Sequence, residues 1–191
     1  MAVVNLTEIV RNRKEFIDEV EKHGGKNVNS CYQCGKCSAG CPVSYAMDYQ
    51  PRQVMRMVQL GMKDKVLSTS TIWLCAHCMT CTTRCPREVD IAGVMEALRM
   101  ICRKENRPIR ERKVPLFHDL FLDIIRKGGR QHEFQLAARY KIATGNLFQD
   151  VDLGRRMFFQ GKLRLFGPKV KGAESVRKIF EKCKELEGDV Q

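Results

Sequence analysis

No apolar run in this 191-residue chain approaches the roughly 18 residues needed to span a bilayer. Stretches such as "LFLDII", near residue 120, are the length found. The N-terminal "MAVVNLTEIVRNRKEF" reaches charged residues too soon to be a secretory h-region. A cytoplasmic protein is expected, with any membrane attachment made through a partner. No glycine-rich phosphate loop, nucleophile elbow or histidine-rich metal site is present, so no substrate site or catalytic residue is expected on the chain. Ten cysteines fall short of the density of a secreted disulfide scaffold.

What is present is one cysteine layout used twice. Residues 31–42 read "CYQCGKCSAGCP" and residues 75–86 read "CAHCMTCTTRCP", 44 residues apart. Clustered thiols in a reducing compartment bind metal more often than they pair, and Cys-x-x-Cys triples serve poorly as cross-links. Each block is Cys-x2-Cys-x2-Cys-x3-Cys-Pro, the bacterial ferredoxin pattern, in which three closely spaced thiolates take three corners of a [4Fe–4S] cube. In two-cluster ferredoxins the fourth cysteine serves the other cluster. The same crossing here gives Cys31, Cys34, Cys37 and Cys85 for one cluster, and Cys75, Cys78, Cys81 and Cys41 for the other. Pro42 and Pro86 fix φ near −65° and turn the chain away after the last ligand. Structural zinc is the competing reading, since Cys-x2-Cys is also a zinc-knuckle spacing, but the third cysteine of each block is surplus to a four-thiol zinc site.

Around the blocks, His77 suits a surface position or a tuning hydrogen bond. Lys36 and Arg84 sit just before ligands, where they offset cluster charge or face solvent, and Trp73 caps apolar core beside a cluster. The formal charge of +12 is uneven. Residues 1–100 carry 13 Lys and Arg against 10 Asp and Glu, whereas residues 101–191 carry 21 against 12. Two oxidised cubanes with their thiolates add about −4 in all, which brings the first half near neutrality. The excess positive charge then belongs to the second half. It keeps a zinc-dependent nucleic-acid-binding module in view as a remote alternative.

The chain divides on sequence into an N-terminal helix (1–24), a cysteine domain (25–106), a charged linker (107–114) and a helical C-terminal docking region (115–191). Asn5 and Glu8 form a capping box for a first helix, with Ile9, Phe16 and Val20 on its apolar side and "HGGKN" ending it. After Pro51, Met55, Val58, Met62 and Val66 fall on one helical stripe. After the second block, Asp90 is an N-cap, with Ile91, Val94, Leu98 and Cys102 on one face. Val54-Met55 aligns with Val94-Met95, with four extra residues after the first block. The unit that repeats is therefore a cysteine loop, a Cys-Pro corner and a helix. It favours helices between the motifs over small sheets, with the methionines as core filler. Beyond "NRPIRERKVP", the segments "LFHDLFLDIIRK", "HEFQLAARYKIATG" and "AESVRKIFEKCKELEG" read as helices, and "RRMFFQGKLRLFGPKVKG" as irregular. Cys102 and Cys183 are expected in the core, as are Phe158, Phe159 and Phe166.

The run "CYQCGKCSAGCP", a Met-rich helix ending "LGMKDKVL", and "IWLCAHCMTCTTRCPREVDI" resembles the heterodisulfide reductase C subunit (HdrC) of methanogenic archaea. The broader class is the α-helical ferredoxin domain of succinate dehydrogenase, glycolate oxidase and glycerol-3-phosphate dehydrogenase iron–sulfur subunits. The class likeness covers about residues 25–105. The closer one extends into "PLFHDLFLDIIRKGGRQHE" and "GKLRLFGPKVKG". The resemblance implies a mainly α fold and two [4Fe–4S] clusters. It also implies a non-catalytic relay of electrons from a flavin and iron–sulfur protein, HdrA, to a cysteine-rich catalytic protein, HdrB. The latter would reduce the disulfide of coenzyme M and coenzyme B in methanogenesis. A hydrogenase or formate dehydrogenase in a larger complex fits the same picture, whereas another flavin-linked dehydrogenase is the alternative. Neither nucleic acid nor direct membrane insertion is part of it.

Overall fold

The computed structural model describes residues 6–146, 151–161 and 170–187. Among them no strand occurs, and no helix is long and apolar enough to cross a membrane. The chain forms two compact units that divide between Glu111 and Arg112.

In the first unit, α1 (Leu6–Lys22) buries Phe16, Ile17 and Val20 and packs on the helices that follow the two cysteine blocks. The N-terminal helix thus shares a core with the cysteine region. Asn5 and the side chains of Glu8 and Ile9 lie outside the described residues. A Cβ on Gly25 would come within 2.9 Å of both Val20 and Val94, so the end of α1 can approach its neighbour only with glycine there.

Each cysteine block supplies one short helix, α2 (Lys36–Ala39) or α6 (Thr80–Thr83), and these two pack together. Between them run α3 (Pro51–Gln59), α4 (Lys63–Leu67) and α5 (Thr71–Leu74), and α7 (Ile91–Lys104) follows. The single stripe expected after Pro51 is broken into α3 and α4. Gly61 takes φ +71°, and the Met62 amide reaches back to the Met57 carbonyl at 2.9 Å, a left-handed helix stop. Met62 is accordingly half-buried, whereas Met55, Val58 and Val66 are fully buried. Asp90 caps α7 through the Gly93 amide at 3.0 Å. Val54, Met55, Val94 and Met95 are all buried, so the aligned residues of the repeat meet in one core. Each such side chain contributes about 1.5–3 kcal/mol relative to exposure. Cys102 is buried among them.

In the second unit, α8 (Lys113–Gly128) packs on α9 (Glu133–Thr144) and α11 (Ala173–Glu187), while α10 (Val151–Phe159) lies between α9 and α11 in sequence. The linker expected to 114 is already helical from Lys113, and Pro115 sits in the first turn, where its missing N–H costs nothing. Phe117 meets Tyr140 edge-on at 5.7 Å, and Ile124 and Leu136 are buried. Three cations, Arg126, Lys127 and Arg139, each place a nitrogen 2.8 Å from the Asp123 carboxylate. Three expectations fail here. "RRMFF" is helical within α10. Phe158 and Phe159 are exposed. Cys183 faces solvent on α11, because the apolar stripe of that helix exceeds what α8 covers. Phe166 lies outside the described residues.

Candidate metal centre: two cysteine-lined cavities

The two blocks repeat at the level of single hydrogen bonds. Gln33 and His77, at equivalent places, have φ of +65° and +49°. Two residues on, Gly35 and Met79 have +82° and +63°. These left-handed residues fold each Cys-x2-Cys-x2-Cys stretch into a tight loop. The Cys41 amide donates to the Ser38 carbonyl at 3.3 Å, and the Cys85 amide to Thr82 at 3.1 Å. After each Cys-Pro corner, Ser44 and Glu88 return their amides to the carbonyls of Cys41 and Cys85.

Side-chain hydroxyls then set the next helix. Ser38 Oγ accepts from the Arg52 amide at 3.0 Å, and Thr82 Oγ1 accepts from the Ala92 amide at 3.1 Å. Arg52 and Ala92 are the second residues of α3 and α7, whose first-turn amides have no partner within the helix. A residue adjacent to the third cysteine of each block therefore fastens that block to its own helix.

Two polar side chains on the buried faces of those helices reach the other end of each block. Gln59 Nε2 donates to the carbonyls of Val28 at 3.2 Å and Cys31 at 2.8 Å. Arg99 donates to the carbonyls of Ile72 and Cys75. Asp48 joins the two blocks. Its carboxylate accepts from the amides of Ser70 at 2.9 Å and Thr71 at 3.0 Å, capping α5, the helix that delivers Cys75. Burial opposes ionisation of Asp48, but the bonds from Thr71 and Ser70 prevail and hold it below the ordinary carboxylate range. Sequence reading missed Ser38, Asp48, Gln59, Thr82 and Arg99. The available signal was a polar residue at one register of both apolar stripes, five residues beyond Val54 and Val94.

The eight cysteines of the blocks fall into two groups. Cys31, Cys34, Cys37 and Cys85 line one cavity. Cys41, Cys75, Cys78 and Cys81 line another, walled by Val43, Met47 and Met95. In each cavity three thiols come from one block and the fourth from the other. Cys34 and Cys78, the second cysteines, are exposed, and Cys37 is buried. Among the described residues no three His, Cys, Asp or Glu side chains converge on a point suited to a single ion. Thiol sets that surround a volume fit a polynuclear iron–sulfur group better than one zinc ion.

Burial pushes the thiols of Cys37 and Cys75 up, and that of Cys81 to about 11, whereas a hydrogen bond to Thr80 pulls Cys78 down. The Val89 amide donates to Cys85 Sγ at 3.4 Å, and Gln33 Nε2 to Cys31 Sγ at 3.5 Å. His77, Lys36 and Arg84 are exposed. Trp73 is buried, with the Arg103 guanidinium 5.6 Å from its ring centre.

A family described as a 4Fe-4S dicluster domain matches residues 27–89. The chain is 39% identical over 122 residues to a CoB–CoM heterodisulfide reductase iron–sulfur protein of the C type from Methanocaldococcus jannaschii, covering 59% of this chain and 63% of that one. It is 38% identical over 86 residues to the C subunit of the H(2):CoB-CoM heterodisulfide,ferredoxin reductase of Methanothermobacter marburgensis, covering 45% and 46%. Against these two, then, the chain spans only about half to two thirds of the relative's length. To the C subunit of the Ferredoxin:CoB-CoM heterodisulfide reductase of Methanosarcina mazei it is 32% identical over 115 residues, 57% of this chain and 71% of the relative. The chain belongs to the HdrC family, the iron–sulfur C subunits of heterodisulfide reductase.

Proposed function

We infer that the chain is the electron-relay component of a cytoplasmic heterodisulfide reductase complex. It carries single electrons from a flavin-bearing HdrA partner to a cysteine-rich HdrB partner that reduces the CoM-S-S-CoB disulfide. One [4Fe–4S] cluster is held by Cys31, Cys34, Cys37 and Cys85, and the other by Cys75, Cys78, Cys81 and Cys41. The observation that carries this reading is the pair of cavities, each lined by three thiols of one block and the fourth of the other. Each cluster supplies reversible one-electron exchange.

The chain's own residues hold the thiols in place and screen them from water. Ser38 and Thr82 fix each loop to its helix, Gln59 and Arg99 fix the carbonyls beside Cys31 and Cys75, and Val43, Met47 and Met95 wall the second cavity. Exposed Cys34 and Cys78 set one edge of each cavity at the surface, where exchange with partner proteins is shortest.

Anaerobically purified protein is expected to contain about eight irons per chain and a broad absorbance near roughly 400 nm that dithionite bleaches. Stoichiometric zinc without colour would sink the reading. The crossing has its own test. Cys85→Ala is expected to reproduce the spectral loss of Cys34→Ala, whereas a loss matching Cys78→Ala would show that each block ligates its own cluster. Co-purification of a flavin-bearing chain with a second cysteine-rich chain checks the partner assignment; a lone dehydrogenase would replace it.

A further inference from the structure

The two halves of the repeat differ at one buried position beside their first cysteines. Gln59 and Arg99 occupy the same register of α3 and α7 and make the same contact: the carbonyl of the first cysteine and the carbonyl three residues before it. Both are buried, at 6% and 9% exposure. One is neutral and the other cationic. The clamp itself needs no charge, since Gln59 makes it with an amide.

A guanidinium at this depth is costly to desolvate and is weakly screened by salt. Its carboxylate partner, Glu96, lies 3.0 Å away, but that side chain is 45% exposed, so hydration weakens what it offsets. In the first half the position of Glu96 is held by Arg56, an exposed cation with Nη1 3.5 Å from Gln59 Oε1. Lys36 and Arg52 line the first cavity but are also exposed, where solvent discounts their charge. Arg99 is thus the one buried basic side chain among the described residues, and it sits against a backbone carbonyl of a candidate ligand.

We propose that Arg99 is a potential-setting residue. Its buried charge holds the cluster framed by Cys41, Cys75, Cys78 and Cys81 at a higher reduction potential than a glutamine in that place gives. This rests on the two-cluster reading above. Reduction places one more negative charge in that cavity, and a nearby unscreened cation stabilises the reduced state more than the oxidised one.

The experiment is an anaerobic redox titration of the full cluster-loaded chain, followed by EPR, for wild type, R99Q, R99K, Q59R and E96Q. R99Q substitutes the side chain that already makes this clamp in the other half. It is expected to lower one midpoint by at least a tenfold change in the reduced-to-oxidised ratio, about 59 mV for one electron, and to leave the other midpoint in place. R99K keeps the charge and is expected to shift that midpoint less. Q59R is expected to raise the other midpoint, and E96Q to raise the same midpoint that R99Q lowers. Unmoved midpoints in R99Q at wild-type iron content would overturn the proposal. So would equal shifts in R99K and R99Q, which would assign the effect to the clamp and not to charge. If R99Q fails to hold its cluster, Q59R and the exposed E96Q decide, and midpoints unmoved in both overturn it. A wild-type chain with no iron fails the two-cluster reading itself, a result separate from any of these.

Discussion

At the scale of single residues, the two cysteine loops ask for the same backbone and meet the request with different side chains. Both need a left-handed residue just after the second cysteine, supplied by Gly35 at φ +82° and by Met79 at φ +63°. Glycine enters that region freely, whereas an L side chain costs about 1–2 kcal/mol there. Met79 is 41% exposed, so little packing repays that cost. Met79→Gly is therefore expected to stabilise the cluster-loaded chain by up to about 1 kcal/mol, after the extra unfolded-state freedom of glycine is subtracted. That corresponds to a rise in Tm of about 2–4 °C for a chain of this size. Met79→Val, β-branched, is expected to lower Tm, and calorimetry in which the valine variant equals or exceeds the glycine variant would contradict a left-handed loop there. The glycine in "CGKC" was readable as a turn, but the methionine in "CMTC" was not, because nothing in its chemistry announces a positive φ. The cysteine spacing, by contrast, shows the same need twice. The same limit explains Cys183: an apolar stripe predicts which side of a helix is greasy, not whether a neighbour covers it.

At the scale of elements, the repeat read from sequence is a loop, a corner and a helix, and the aligned Val54-Met55 and Val94-Met95 do meet in one core. What sequence did not reveal is the fastening. A serine or threonine next to the third cysteine of each block is common enough to pass as loop polarity, and only the fold shows that Ser38 and Thr82 each accept the second amide of the next helix. Thr82 also lies 3.0 Å from the Asp90 carboxylate, so it links two caps of α7. Thr82→Val keeps the shape, removes the acceptor and leaves the Ala92 amide without it. Such losses cost about 1–3 kcal/mol. The variant is expected to lose its visible absorbance faster than wild type when challenged with an iron chelator, with Thr82→Ser restoring the wild-type rate. Ser38→Ala is expected to act in the same direction with a smaller effect, since Ser38 makes one such bond. Equal bleaching rates for wild type and Thr82→Val would show that the cap is dispensable. The break between α3 and α4 was also hidden. Met62 keeps the helical spacing, and the single Gly61 that ends α3 resembles the tolerated glycines found inside many helices.

At the scale of the whole molecule, the helical class and the lopsided charge were legible, because composition and period carry them. The ion pairs that tie distant parts of the first unit were not, since they join residues far apart in sequence. Lys63, at the start of α4, reaches Glu19 of α1 at 2.7 Å and Glu105 at the end of α7 at 2.5 Å. Arg107 joins Glu105 at 2.8 Å and Asp64 at 2.6 Å. Burial disfavours the charged form of Glu105, but the hydrogen bonds from Lys63 and Arg107 outweigh it and hold the carboxyl below its ordinary value of 4.5. The sign follows from that. A carboxyl whose folded value is depressed contributes stability that is present above its unfolded value and is lost as pH falls through the folded one. Lys63 acts at the other limit. Burial again works against its charge, the bonds to Glu105 and Glu19 prevail, and its value is raised above 10.5, so its share persists below that pH and is lost as pH rises past the folded value. The side chains in this network are 28–30% exposed at Lys63, Glu19 and Glu105, so each pair contributes on the order of 1 kcal/mol or less after screening. Glu105→Gln is expected to lower Tm at pH 7 by a few degrees. It is also expected to narrow its own deficit as pH is taken below about 4.5, because wild type loses the same charge there. The check is the Tm difference between wild type and Glu105→Gln across that range in low salt, and a difference that stays constant or widens on acidification would remove the network from the account of stability.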